Sequence, residues 1–112
     1  NLKESLFILE KMLIAGEEHI KILFQISSTV RKLLMVKSLI EEKNYNPLDA
    51  ASAARIYNSY FASIFLRNIS KYKLAHLKAC IPKILAADIA MKTKSQHDKT
   101  LLLENLIIFI CG

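Results

Sequence analysis

The chain has 112 residues, 53% hydrophobic and 23% charged, with two glycines and two prolines. That composition excludes disorder, and such scarce turn chemistry excludes a small sheet protein, which needs frequent tight hairpins. The formal net charge is +6, yet residues 1–49 carry seven bases and seven acids while residues 50–112 carry nine and three, so the whole excess lies in the second half. Phosphate contact is one reading of that excess; solvated helix faces are the commoner one.

Leu2, Leu6, Leu9 and Leu13 recur at intervals of a helical turn and predict an amphipathic first helix that Gly16 can end in a left-handed conformation. Glu17 and Glu18 then favour a helix start, and Ile20, Leu23, Phe24, Val30, Leu33, Leu34 and Ile40 carry a long second helix to about Lys43. Ser27, Ser28 and Thr29 interrupt its apolar pattern, as a close-packing or partner-facing site or as a solvent-facing turn. In Asn44-Tyr45-Asn46-Pro47 the spacing predicts a break, with Asn46 as N-cap, Pro47 at the first helical position and Asp49 in the first turn of a third helix.

The small residues Ala50 to Ala54 either end that helix or continue into a segment whose apolar face is Ile56, Tyr60, Phe61, Ile64 and Phe65. Ser70 is the expected N-cap of a helix bearing Leu74, Leu77, Ile81, Ile84, Leu85 and Ile89, and Pro82 inside it predicts a kink, or else a break, near residues 78–82. Lys94 to Asp98 reads as a polar break before a last helix from Thr100 to Ile110, apolar around most of its circumference. The expected fold is all-α: a compact bundle of five or six helices in a single domain spanning residues 1–112. Opening at Asn1 without a methionine, in mid-helix by pattern, suggests a domain cut from a longer protein.

Little in the chain points to chemistry. Neither glycine sits in a phosphate-cradling loop, and His19, His76 and His97 lack the spacing of a helical zinc site. His97-Asp98 pairs an acid with a base, but no activated nucleophile accompanies it, and Asp98 is better read as the N-cap of the last helix. Cys80 and Cys111 read as small apolar core residues in a reducing cytosol, and no apolar run is long enough for a bilayer span. No catalytic residue, cofactor or metal is expected. The basic set that includes Arg67, Lys71, Lys73, Lys78, Lys83, Lys92, Lys94 and Lys99, with Tyr57, Tyr60 and Tyr72 near it in sequence, nominates Lys71, Lys78, Lys92 and Lys94 as candidate DNA contacts.

Asp88 and Lys92 lie one turn apart near a helix end, where an acid can brace a base and a cation suits the dipole. With Gly16-Glu17-Glu18, Ile20 and Leu23, Val30-Arg31-Lys32-Leu33-Leu34, Lys37, Leu39 and Glu41-Glu42, Ile69-Ser70 before Leu74 and Leu77, and Asp88 to Thr93 before Leu103, Glu104, Leu106 and Ile107, the chain resembles the C-terminal collar domain of the delta subunit of the bacterial DNA polymerase III clamp loader. It departs in carrying Lys94 where a glycine often follows the Lys-Thr step, and no aromatic residue stands in that loop.

The resemblance implies a cytoplasmic, non-catalytic assembly domain that packs beside the loader's gamma/tau and delta-prime type subunits during DNA replication. Primed DNA is a further candidate partner, and the sliding clamp is engaged by parts of the parent absent from these residues. Leu102, Asn105, Leu106 and Phe109 of the last helix are the expected partner interface, and Asp88 with Lys92 a structural helix-end pair. The alternative is a free-standing basic helical module that binds nucleic acid, motivated by the charge of the second half.

Overall fold

The computed structural model describes residues 2–56 and 69–111. Among them are five helices and no strand: α1 (Leu2–Ile14), α2 (His19–Lys43), α3 (Pro47–Ala53), α4 (Leu74–Met91) and α5 (Gln96–Cys111). The all-α expectation is met. The expected face at Tyr60, Phe61, Ile64 and Phe65, together with Tyr57 and Arg67, lies outside the described residues.

Contacts divide the chain into two compact units, Asn1–Ser28 with Ala79–Gly112, and Thr29–Lys78. In the first, α1 packs against α5, and Leu9, Ile22, Cys80, Ile84, Leu103 and Leu106 are among its buried residues. In the second, Leu33, Val36, Ala50, Ala54, Ile69 and Leu77 form one core cluster, flanked by Leu34, Leu39, Ile40, Ile56 and Tyr72. Ala50 and Ala51 are fully buried, so the short α3 is packed through side chains no larger than a methyl group.

Helix ends follow from local chemistry. α1 closes with Gly16 at φ +89°, its N–H donating to the Leu13 carbonyl at 3.0 Å and that of Glu17 to Met12 at 3.1 Å. This is a Schellman turn, which needs a left-handed residue. α2 ends on Asn44 at φ 58°, with the Tyr45 N–H reaching the Leu39 carbonyl at 3.0 Å. α3 repeats the Schellman pattern with Arg55 at φ 64°: the Arg55 N–H donates to Ser52 at 2.9 Å and that of Ile56 to Ala51 at 2.8 Å. The small residues before Ile56 therefore end the helix rather than extend it.

The cap of α3 is as the sequence predicts. The Asp49 N–H donates to Asn46 Oδ1 at 2.9 Å, the Asn46 amide donates back to the Asp49 carboxylate at 2.8 Å, and Pro47 fills the first turn, where its missing N–H costs nothing.

Glu17 and Glu18 do stand at the start of α2, immediately before it, and its first bond runs from the Ile22 N–H to the Glu18 carbonyl at 3.1 Å. Several expectations are corrected. Phe24 is 69% exposed, since the buried stripe of α2 passes through Ile22, Leu23, Val30, Leu33 and Val36 and leaves it to one side. Ser28 and Thr29 are likewise exposed. Ser70 is not the N-cap of α4: a turn closed by the Tyr72 N–H on the Ile69 carbonyl at 3.2 Å delays the helix, whose first bond goes from the Leu77 N–H to the Lys73 carbonyl at 3.0 Å. Through Pro82 α4 stays helical, so no break occurs there, although the proline nitrogen cannot donate to the Lys78 carbonyl. α5 starts at Gln96, four residues earlier than expected, and its cap is Ser95, whose hydroxyl accepts the Asp98 N–H at 3.2 Å. Asp98 stands in the first turn, where its charge suits the helix dipole.

Candidate functional site

Each candidate chemical group can be placed. His19 at the start of α2 shares a 2.9 Å hydrogen bond with the Thr100 hydroxyl on α5, while His97 and Asp98 are exposed side chains in the first turn of α5. Among the described residues no three His, Cys, Asp or Glu side chains are gathered as they would be around a metal ion. Cys80 is fully buried, and burial, with a smaller contribution from Cys111, raises its thiol pKa above the ordinary value. That favours the unreactive neutral form. Cys111 is half-buried and donates to the Ser5 hydroxyl at 3.6 Å.

The candidate DNA-contacting lysines fall in both units. Lys71 and Lys78 belong to Thr29–Lys78. Lys71 is exposed on the turn before α4, but Lys78 is paired with Glu42 at 3.7 Å. The Glu42 carboxyl is held below the usual carboxylate range, chiefly by the Ser38 hydroxyl and then by the Lys78 ammonium. One turn back, Lys37 pairs with Glu41 at 3.5 Å and donates to the Ile69 carbonyl at 3.2 Å, tying α2 to the turn that precedes α4. Lys37 and Lys78 thus have structural work within their own unit. In the other unit, Lys92 and Lys94 are exposed on the short link between α4 and α5.

Asp88 and Lys92 keep their one-turn spacing in sequence, but no ion pair joins them. Lys92 stands one residue beyond Met91, the last residue of α4, where the stacking of side chains four apart is no longer enforced. What holds this helix end is Thr93, whose N–H and hydroxyl both reach the Ala90 carbonyl at 3.3 Å.

On α5 the expected interface residues separate by face. Leu106 is only 4% exposed and belongs to the core with Leu103, Ile107 and Ile110, so it has no surface left to offer a partner. Asn105 is exposed, and Leu102 and Phe109 are half-buried, Phe109 lying under the Lys83 ammonium at 5.2 Å from its ring centre. The solvent-facing apolar residues are instead Leu101 at 43% and Ile108 at 46%, which with Asn105 trace one stripe at helical spacing. Sequence reasoning also missed Phe7 and Ile14 on α1 and Leu85 and Ile89 on α4, all more than half exposed. For α1 the signal was present: Leu2, Leu6, Leu9 and Leu13 mark the buried side, and Phe7 and Ile14, seven residues apart, share a face beside it.

No described helix is long and apolar enough to cross a membrane. Comparison with curated proteins and with solved structures gave no match. A family model does match: that of the DNA polymerase III delta subunit, C-terminal domain, over residues 1–110. The chain belongs to this family of clamp-loader subunit domains, which is not itself a polymerase catalytic site.

Proposed function

We propose that the domain works by assembly: it holds its delta subunit in the clamp loader by packing beside the C-terminal domains of gamma/tau and delta-prime type subunits in a collar. The observation that carries this reading is the family match across nearly the whole chain. It is supported by apolar side chains left at the surface of a well-filled core, the usual mark of a protein interface. The surface best suited on α5 is the stripe Leu101, Asn105 and Ile108, bordered by Leu102 and Phe109. The sliding clamp would be engaged by other parts of the subunit.

The test is assembly of the full subunit with the other loader subunits, followed by size-exclusion chromatography. Leu101→Glu with Ile108→Glu should abolish co-elution while leaving the helical circular dichroism intact, because both side chains already face water. Normal co-elution would remove α5 from the interface, and normal co-elution after deletion of residues 1–112 would overturn the assembly reading. Primed DNA is a secondary partner on this reading, through the exposed ammonium groups of Lys92 and Lys94. Neutralising both should then lower the salt dependence of DNA binding by the loader without affecting assembly.

A further inference from the structure

Along the contact of α1 with α5 runs a solvent-open groove of about 860 Å³. Its floor is apolar, with Leu6, Leu9 and Leu13 among the lining side chains, and its most prominent walls are Phe7 and Ile14, 57% and 76% exposed. Side chains of this size left so far in water are costly at about 25 cal/mol per Å² of apolar surface, and the cost is recovered when a partner covers them. Phe7 and Ile14 are seven residues apart on one helix, about 10 Å along its axis. That span suits two anchor side chains from a second helix laid along the groove.

The rim decides what kind of helix. Glu10 on α1 and Glu104 on α5 line the groove, as does Glu4, against the single ammonium group of Lys3. Lys11, the next cation on α1, is drawn over the Phe7 ring at 5.1 Å. Carboxylates on both helices would repel an acidic segment and favour lysine or arginine flanking an apolar stripe. We propose that the α1/α5 groove seats a basic amphipathic helix from a neighbouring clamp-loader subunit. This rests on the assembly reading and adds to it the face and the charge of the partner.

The experiment uses the full delta subunit in a reconstituted loader, with Ile14 replaced by the photo-crosslinking residue p-benzoylphenylalanine, and identifies the crosslinked peptide by mass spectrometry. The expected product joins Ile14 to a helical segment of another loader subunit with at least two basic residues beside its apolar face. In parallel, Glu10→Lys with Glu104→Lys should weaken subunit association about tenfold, and Glu10→Gln with Glu104→Gln by a smaller factor in the same direction. The glutamine pair carries the test if the lysine pair fails to fold. An assembled loader with no crosslink at Ile14, a crosslink to DNA, to an acidic segment or to a second delta subunit, or unchanged affinity in the charge variants would overturn the proposal. Deletion of the whole domain separates the two readings: if deletion prevents assembly but Ile14 finds no basic helix, only the groove assignment falls.

Discussion

In the unit of residues 1–28 and 79–112, Phe7, Ile14, Phe24, Leu85, Ile89 and Ile108 stay in contact with water around a filled core. In the Thr29–Lys78 unit the corresponding exposed residues among those described are Met35, Tyr45 and Leu48, and the surface there is occupied by the Lys37–Glu41 and Lys78–Glu42 pairs. An exposed ion pair such as Lys78–Glu42 contributes little stability and does not need a partner, whereas exposed apolar side chains lose free energy until they are covered. Among the described residues, the first unit therefore has the character of a surface made for protein contact, and residues 29–56 and 69–78 of the second that of a surface finished with water.

The comparison can be broken most sharply at the cores. Leu103 and Leu77 are both fully buried, one in each unit, and Leu103→Ala and Leu77→Ala should each cost about 2–5 kcal/mol in urea denaturation. Similar losses would confine the difference between the units to their surfaces; a negligible loss at Leu77 would show that its core is loosely packed.

The next effect lies in the helix ends. Gly16 and Arg55 occupy the same left-handed position of the same turn, one in each unit. A Cβ at Gly16 meets nothing within 4 Å, so Gly16→Ala should destabilise by about 1 kcal/mol through backbone strain alone. Arg55→Gly should stabilise by up to about 1 kcal/mol, the strain relieved being partly offset by the extra freedom of glycine when unfolded. Thermal denaturation checks both, and equal signs would refute the parallel. Asn46→Ala and Ser95→Ala test the N-caps of the two units and should each cost about 1 kcal/mol, again by thermal denaturation.

The smallest effect concerns Glu42. Its depressed pKa means that the folded state gains stability above the ordinary carboxylate pKa and loses it as pH falls through the lowered value. An NMR titration should show Ser38→Ala raising the Glu42 pKa more than Lys78→Met does, the hydroxyl being the larger cause. The reverse order would make the ion pair, and not the hydrogen bond, the feature that finishes this surface.

Where a residue's chemistry and its neighbours agree, the structure was legible in advance. Asn46-Pro47-Leu48-Asp49 names its own cap, and Gly16 its own turn. Ser95-Gln96-His97-Asp98 carried an equally direct signal, a serine three residues before an acid, but both serine and aspartate are good caps and the apolar run beginning at Leu101 drew the start too far along. Arg55 was illegible because the left-handed residue is one whose side chain disfavours that conformation. On α5 the apolar residues run almost around the helix, so sequence could propose an interface but could not separate Leu106 from Leu101; only the packed structure, which buries the first and leaves the second exposed, does that. The Asp88–Lys92 brace failed for a simpler reason, that α4 ends one residue too soon.

The packing of α1 on α5 also has a kinetic consequence. It joins helices at opposite ends of the domain, as the Ser5–Cys111 hydrogen bond across 106 residues of sequence shows. Closing so long a loop is entropically expensive but only weakly sensitive to its length, about 0.6 kcal/mol for each doubling. Until α5 has been made, α1 lacks that docking surface, so its apolar side stays uncovered while the residues between the two helices are synthesised. The two helices that build the groove are therefore the last pair in the domain to meet.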